Sequence, residues 1–160
     1  VASNAGQASV DTTPAPGPKP LFTKPERIEA RGAYGLFEPV TTPMSLKGES
    51  CASYQLQHPG SEGPTTAVFL LDGRASRFTA KAAIDQSMNP NDPLGWGATV
   101  RITVTGDGQV LYQSGVIDRH TALQNVVIGL QGVRELAVTV DDAGDGNPFD
   151  WLGWGDAAFE

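Results

Sequence analysis

The sequence predicts an all-β fold, an antiparallel β-sandwich. Apolar residues recur with period two in about eight short runs. Gly, Asp, Asn and Pro punctuate those runs at regular intervals, as the turns of a sandwich require. No stretch sustains helical periodicity between caps.

The runs follow one another along the chain. Residues 1–23 are rich in Ala, Ser, Thr and Pro, with Pro14, Pro16, Pro18 and Pro20 alternating, a composition that cannot bury a core. They read as an extended or disordered arm ahead of a domain spanning 24–160. The strand patterns begin with Met44 and Leu46, then Tyr54 and Leu56, and then the apolar run Val68 to Leu71. Phe78, Ala80, Ala82 and Ile84 alternate next, followed by Val100, Ile102 and Val104. Val110 to Tyr112, then Val126, Ile128 and Leu130, then Leu136, Val138 and Val140 complete the series. Gly106-Asp107-Gly108 joins two runs as a tight hairpin turn, because Gly and Asp tolerate positive φ. Met88 to Gly97 is longer than a hairpin turn and sets a tryptophan among amides and carboxylates. Loops of that kind on a rigid sandwich are where binding sits.

Composition removes several function classes. Eleven Lys and Arg against eighteen Asp and Glu give a formal charge of −7, which argues against nucleic acid and against a polybasic membrane patch. No apolar run reaches membrane-spanning length. Cys51 has no second cysteine to pair with and reads as a small buried hydrophobe. The chain begins at Val1 rather than Met, and a Pro-rich segment follows. That order matches removal of a secretion signal, so the expected location is extracytoplasmic: secreted, periplasmic or cell-surface.

A series of motifs carries a resemblance. Ser76-Arg77-Phe78 through Ile84-Asp85 is followed by Val100 to Val104, Gly106-Asp107-Gly108 and Leu111 to Gly115. Gly132 to Leu136 and Asp142-Ala143-Gly144-Asp145-Gly146 complete it. In this order the motifs resemble the NPCBM/NEW2 domain, a relative of the family 51 carbohydrate-binding modules. The resemblance implies a jelly roll like the galactose-binding domains, a module appended to secreted bacterial glycosidases, a glycan ligand and, in some relatives, a structural calcium. The family ends its acidic turn with an Asp-His-Ala-Asp-Trp-like run. Here Asp150 and Trp154 match, but Trp151 stands at the His position and Gly153 at the second Asp.

The chemistry concentrates in two segments. A sugar presents C–H faces to flat aromatics and hydroxyls to amides and carboxylates. Trp96 with Asn89, Asn91 and Asp92, and Trp151 with Asn147 and Asp150, offer that combination, whereas Trp154 beside the closing strand reads as core. For calcium, Asp141, Asp145 and Gly146 fit three EF-hand positions, but the closing carboxylate position is Leu152. A looser oxygen cage would draw on Asp142, Asp145, Asp150 and Asp156 with backbone carbonyls. The alternative is an Asx-rich turn whose carboxylates cap backbone N–H groups.

No catalytic set is expected. Gly-x-Ser-x-Gly is absent, and His58 and His120 fall short of the three or more imidazoles of a superoxide dismutase-type copper site. The first expectation is therefore a non-catalytic module for cell-envelope or environmental glycans. The second is a structural subunit of a surface layer or envelope complex, gripping protein partners. A copper redox enzyme comes a remote third.

Overall fold

The computed structural model describes residues 20–41, 44–85, 97–146 and 148–160. Among these the chain forms β-strands and no helix. The strands are β1 (Arg27–Glu29), β2 (Leu36–Val40), β3 (Met44–Leu46), β4 (Glu49–Cys51), β5 (Tyr54–His58), β6 (Thr65–Leu70) and β7 (Arg77–Ile84). There follow β8 (Thr99–Gly106), β9 (Gln109–Gln113), β10 (Ile117–Asp118), β11 (Gln124–Gly129), β12 (Glu135–Asp141) and β13 (Leu152–Phe159). No helix among the described residues is long and apolar enough to cross a membrane.

Two antiparallel sheets face each other. The first runs β1-β6-β12-β8-β10, with β9 also pairing β8; the second runs β11-β7-β13-β5-β2. The period-two runs of β8 and β12 bury every second residue completely: Val100, Ile102 and Val104, and Leu136, Val138 and Val140. From the other sheet Phe78, Ala80, Ala82, Ile84, Leu152 and Trp154 meet them. The turn between β8 and β9 has both Asp107 (φ 50) and Gly108 (φ 80) left-handed, the pattern of a type I′ hairpin.

Two features depart from the sequence reading. The closing strand β13 was hidden by Gly153, Gly155 and Asp156, which oppose strand propensity. The glycines are needed there. A Cβ at Gly153 would lie 2.0 Å from the Tyr54 hydroxyl, and one at Gly155 would lie 2.5 Å from Cys51 Sγ. Both neighbours belong to a second small core of Leu46, Cys51, Tyr54, Leu56 and Ala83, which includes the β3–β4 hairpin.

The second departure concerns the arm. Phe22, placed in it by composition, is 3% exposed and sits in the main core. Its ring lies 5.3 Å from Phe37 and Phe69, 5.2 Å from Phe78 and 5.6 Å from Trp154. The apolar transfer term of one aromatic ring therefore outweighs the polar composition around it.

Phe22→Ala is expected to lower stability by about 3–5 kcal/mol, because the cavity opens among rigid rings. Urea denaturation of the two proteins checks this. A change under about 1 kcal/mol would mean that the ring is dispensable.

Candidate functional site

The site is built on one rim of the second sheet. Leu36 of β2 is in register with His58 of β5. Leu152 of β13 pairs with both Gln57 and Ile84, which brings Trp151 beside His58 and Asp85. Asp85 N donates to Trp151 O at 2.8 Å. The rim thus reads Leu36, His58, Trp151, Asp85 across four neighbouring strands.

These side chains interact in layers. The half-buried Trp151 ring lies 4.6 Å from the His58 ring at 59°. His58 is 4% exposed, with Nδ1 2.7 Å from Pro59 O. Burial lowers its pKa, while backbone hydrogen bonds at Pro59 and Tyr34 work in the opposite direction. Behind Trp151 the Tyr54 hydroxyl crosses the space left by Gly153 and donates to Asp85 Oδ2 at 2.7 Å. Burial first, and then this carboxylate, raises the Tyr54 pKa, so the phenol keeps its proton and remains a donor.

The acidic turn precedes Trp151. Asp141 Oδ1 accepts from Ala143 N at 2.8 Å, and Asp142 Oδ1 from Gly144 N at 2.9 Å. Asp145 Oδ2 accepts from Thr99 Oγ1 at 2.5 Å. Asp150 is 1% exposed; one oxygen accepts from Thr99 N at 2.9 Å and the other has no partner. Burial raises the Asp150 pKa to about 8, with Asp145, Asp142 and Asp141 adding to the rise and the Thr99 N–H opposing it.

Of the expected calcium ligands, Asp142, Asp145 and Asp150 share this neighbourhood, but Asp156 stands apart on β13. Its Oδ1 accepts from Ala52 N at 2.7 Å and Ser53 N at 3.1 Å, and its Oδ2 lies 3.7 Å from Lys81 Nζ. Strand β13 carries it down the sheet, away from the turn. Among the described residues no three carboxylate, imidazole or thiolate groups converge on a metal-sized point.

Of the expected sugar contacts, Trp151 is on the rim. Asn89, Asn91, Asp92, Trp96 and Asn147 lie outside the described residues. The described residues flanking the 86–96 segment are Asp85, beside Trp151, and Gly97, which with Asp145, Gly146 and Pro148 lines a cleft of about 150 Å³. Sequence reasoning missed His58, Tyr54 and Asp85. Only strand register brings them to Trp151. His120 is elsewhere, in the turn after β10, with Nε2 accepting from Arg119 Nε at 3.1 Å.

The family model of the NPCBM/NEW2 domain matches residues 40–160. The chain belongs to the NPCBM/NEW2 family. Solved structures share its fold. CBM51 from Clostridium perfringens GH95, in complex with methyl-galactose, is 21% identical with a TM-score of 0.67, over 86% of this chain and 94% of that one. The Clostridium perfringens ZmpB structure joining an M60 catalytic domain to two CBM51 domains is 22% identical with a TM-score of 0.69, over 88% of this chain. The NPCBM/NEW2 chain spans only 15% of that protein. The tandem CBM51 modules of Sp3GH98, a family 98 glycoside hydrolase from Streptococcus pneumoniae, are 18% identical with a TM-score of 0.67, over 85% of this chain and 44% of theirs. No curated protein matches the sequence. The NPCBM/NEW2 fold is thus the antiparallel sandwich of the CBM51 modules, and β1 and most of β2 precede the family match.

The Asp150 environment has a pH consequence. Its folded pKa is raised, so folding holds a proton that the unfolded chain releases near its ordinary value of about 4. The stabilisation is full below that value and is lost as pH rises through about 8. His58, with its pKa lowered, contributes in the other direction, and its contribution is lost as pH falls below about 6.5. Cys51, whose pKa burial also raises, adds a loss of the same sign only near and above its ordinary thiol value, so the limb between pH 7 and 8 isolates Asp150. The thermal midpoint is expected to fall between pH 7 and 8 in the native protein and to stay flat over that range in Asp150→Asn. Parallel slopes would refute the assignment.

Proposed function

We propose that this NPCBM/NEW2 domain is a non-catalytic, extracytoplasmic carbohydrate-binding module that recognises cell-envelope or environmental glycans. The observation that carries the reading is Trp151, an aromatic face supported by His58 and backed by the Tyr54–Asp85 pair, on a rim of the CBM51 fold. A pyranose stacks its C–H face on the indole, and side-chain amides and carboxylates take its hydroxyls. Asn89, Asn91, Asp92, Trp96 and Asn147 belong to this proposal by their places in the sequence, after Asp85 and before Phe149. The GH95 module's complex with methyl-galactose makes galactosides the first class to test.

Structural calcium fits this turn poorly. Calcium takes about six to eight oxygens. Asp141, Asp142 and Asp145 each already accept a hydrogen bond on one oxygen, and the second oxygen of Asp150 is the one buried carboxylate oxygen without a partner in the described turn. A proton on Asp150 neutralises that oxygen without an ion. The melting temperature at neutral pH is expected to be the same in calcium and in chelator. A rise of several degrees with calcium would restore the cage.

A second reading, a structural subunit of an envelope complex, is favoured by one observation. β9 lies at a sheet edge, and Val110 (62%), Leu111 (38%) and Val116 (50%) are exposed along it and just after it. Such an edge suits strand addition from a partner.

The deciding experiment is a glycan array with the full chain and Trp151→Ala. The native protein is expected to retain a defined glycan set, and the variant to lose it while melting within a few degrees of the native protein. Retention unchanged by the substitution would sink the assignment of this rim. A silent array, with partners captured through the β9 edge, would favour the subunit.

A further inference from the structure

Two exposed aromatics flank Trp151 in a backbone conformation that aromatic residues avoid. Among the described residues seven non-glycines have positive φ, and of these only Tyr34 (φ 69) and Phe149 (φ 65) are aromatic. A bulky side chain in this region is strained, at roughly 1–3 kcal/mol. Burial does not offset the strain, since Tyr34 is 75% exposed and Phe149 41%. Each residue therefore carries a backbone penalty and an exposed apolar ring together.

Both are tied to the same rim. Leu36, two residues after Tyr34, is in register with His58, and the His58 ring packs on Trp151. Trp151 N in turn donates to Phe149 O at 2.8 Å. Tyr34 also sits on a locked loop. Ala33 N donates to Ser61 Oγ and Ser61 N to Ala33 O, each at 2.8 Å, and Glu62 N donates to Arg31 O at 3.2 Å. The backbones touch so closely that a Cβ at Gly60 would lie 1.9 Å from Arg31 O. The aromatic ring is thus held out to solvent on a rigid support, which removes ordering cost from binding.

We infer that Tyr34 and Phe149 are binding residues that extend the Trp151 platform, and that the ligand is an uncharged glycan chain of two or more sugars rather than a single terminal sugar. This rests on the carbohydrate-binding reading above. β2 and β13 flank β5, so the Tyr34 loop and the Phe149 turn leave the sheet about 10 Å apart. That span exceeds one pyranose ring. Asp141, Asp142 and Asp145 lie on the Phe149 side and Glu62 on the Tyr34 side, against Arg101 beside Asp141 and Arg31 in the Tyr34 loop, so the balance of charge is negative and disfavours anionic chains.

The test is calorimetric titration of the full chain with methyl galactoside, with N-acetylglucosamine, and with uncharged oligosaccharides of each sugar from two to six residues. Uronic acid oligomers form the anionic arm. Native affinity is expected to rise about tenfold from single sugar to tetrasaccharide. Tyr34→Gly and Phe149→Gly are each expected to lose most of that gain. Both should keep single-sugar affinity, and both should melt at or above the native temperature, because glycine relieves positive φ. Trp151→Ala should lose binding at every length. Glycine variants that bind long chains like the native protein, or that lower the melting temperature instead, overturn the inference and leave the carbohydrate reading standing. Preference for the uronic oligomers also overturns it. A native protein that binds none of the probes overturns both.

Discussion

One buried amide holds the two sheets in place. Gln57 of β5 accepts from Trp154 Nε1 at 2.9 Å and donates to Thr65 O at 2.9 Å and to Val138 O at 3.1 Å. Thr65 and Val138 belong to the opposite sheet, so a single side chain spans the sandwich and satisfies the indole in doing so. A buried polar group is tolerated when its partners are complete, and its directionality then fixes relative position in a way that apolar contacts cannot. Gln55, two residues earlier and equally buried, has neither side-chain atom paired. The contrast shows which of the two glutamines carries the constraint.

From that anchor the binding rim follows. With Trp154 fixed on the inner face, β13 can register only one way, and a one-residue slip would turn the indole outward. The same register leaves Gly153 and Gly155 on the outer face, where Tyr54 and Cys51 fill the space. It also places Trp151 beside His58 and Asp85. The expected family run has an imidazole at the Trp151 position and a carboxylate at the Gly153 position. Here an imidazole and a carboxylate still face that surface, but they come from β5 and the end of β7. Gly153 is what lets the phenol of Tyr54 reach the carboxylate of Asp85.

The acidic turn shows how one set of residues supports two readings. Its carboxylates have the composition of a cation site, yet Asp141 and Asp142 cap the backbone of their own turn. Asp150 is the exception, because burial leaves it one hydrogen bond and one bare oxygen. Low dielectric and three neighbouring carboxyls make protonation the cheaper neutral state. The turn is then a stiff support for Phe149 and Trp151.

The sequence by itself determined the architecture. Alternation in β7, β8 and β12, the Asp107-Gly108 turn and the ordered motifs are local signals, and local signals survive without knowledge of neighbours. Trp154 as core was legible for the same reason. Tertiary structure decided the rest, because each remaining feature depends on what lies across a strand or a sheet. Phe22 joins the core from a segment whose composition is that of a linker, since five aromatic rings wait to receive it. His58 is buried by Trp151, and Gln57 faces inward because the outer face of β5 packs into the second small core. Asp156 leaves the acidic cluster because β13 is extended and carries it toward Ser53 and Lys81. Pairing between distant segments sets these outcomes, and period and composition hold no record of which segments pair.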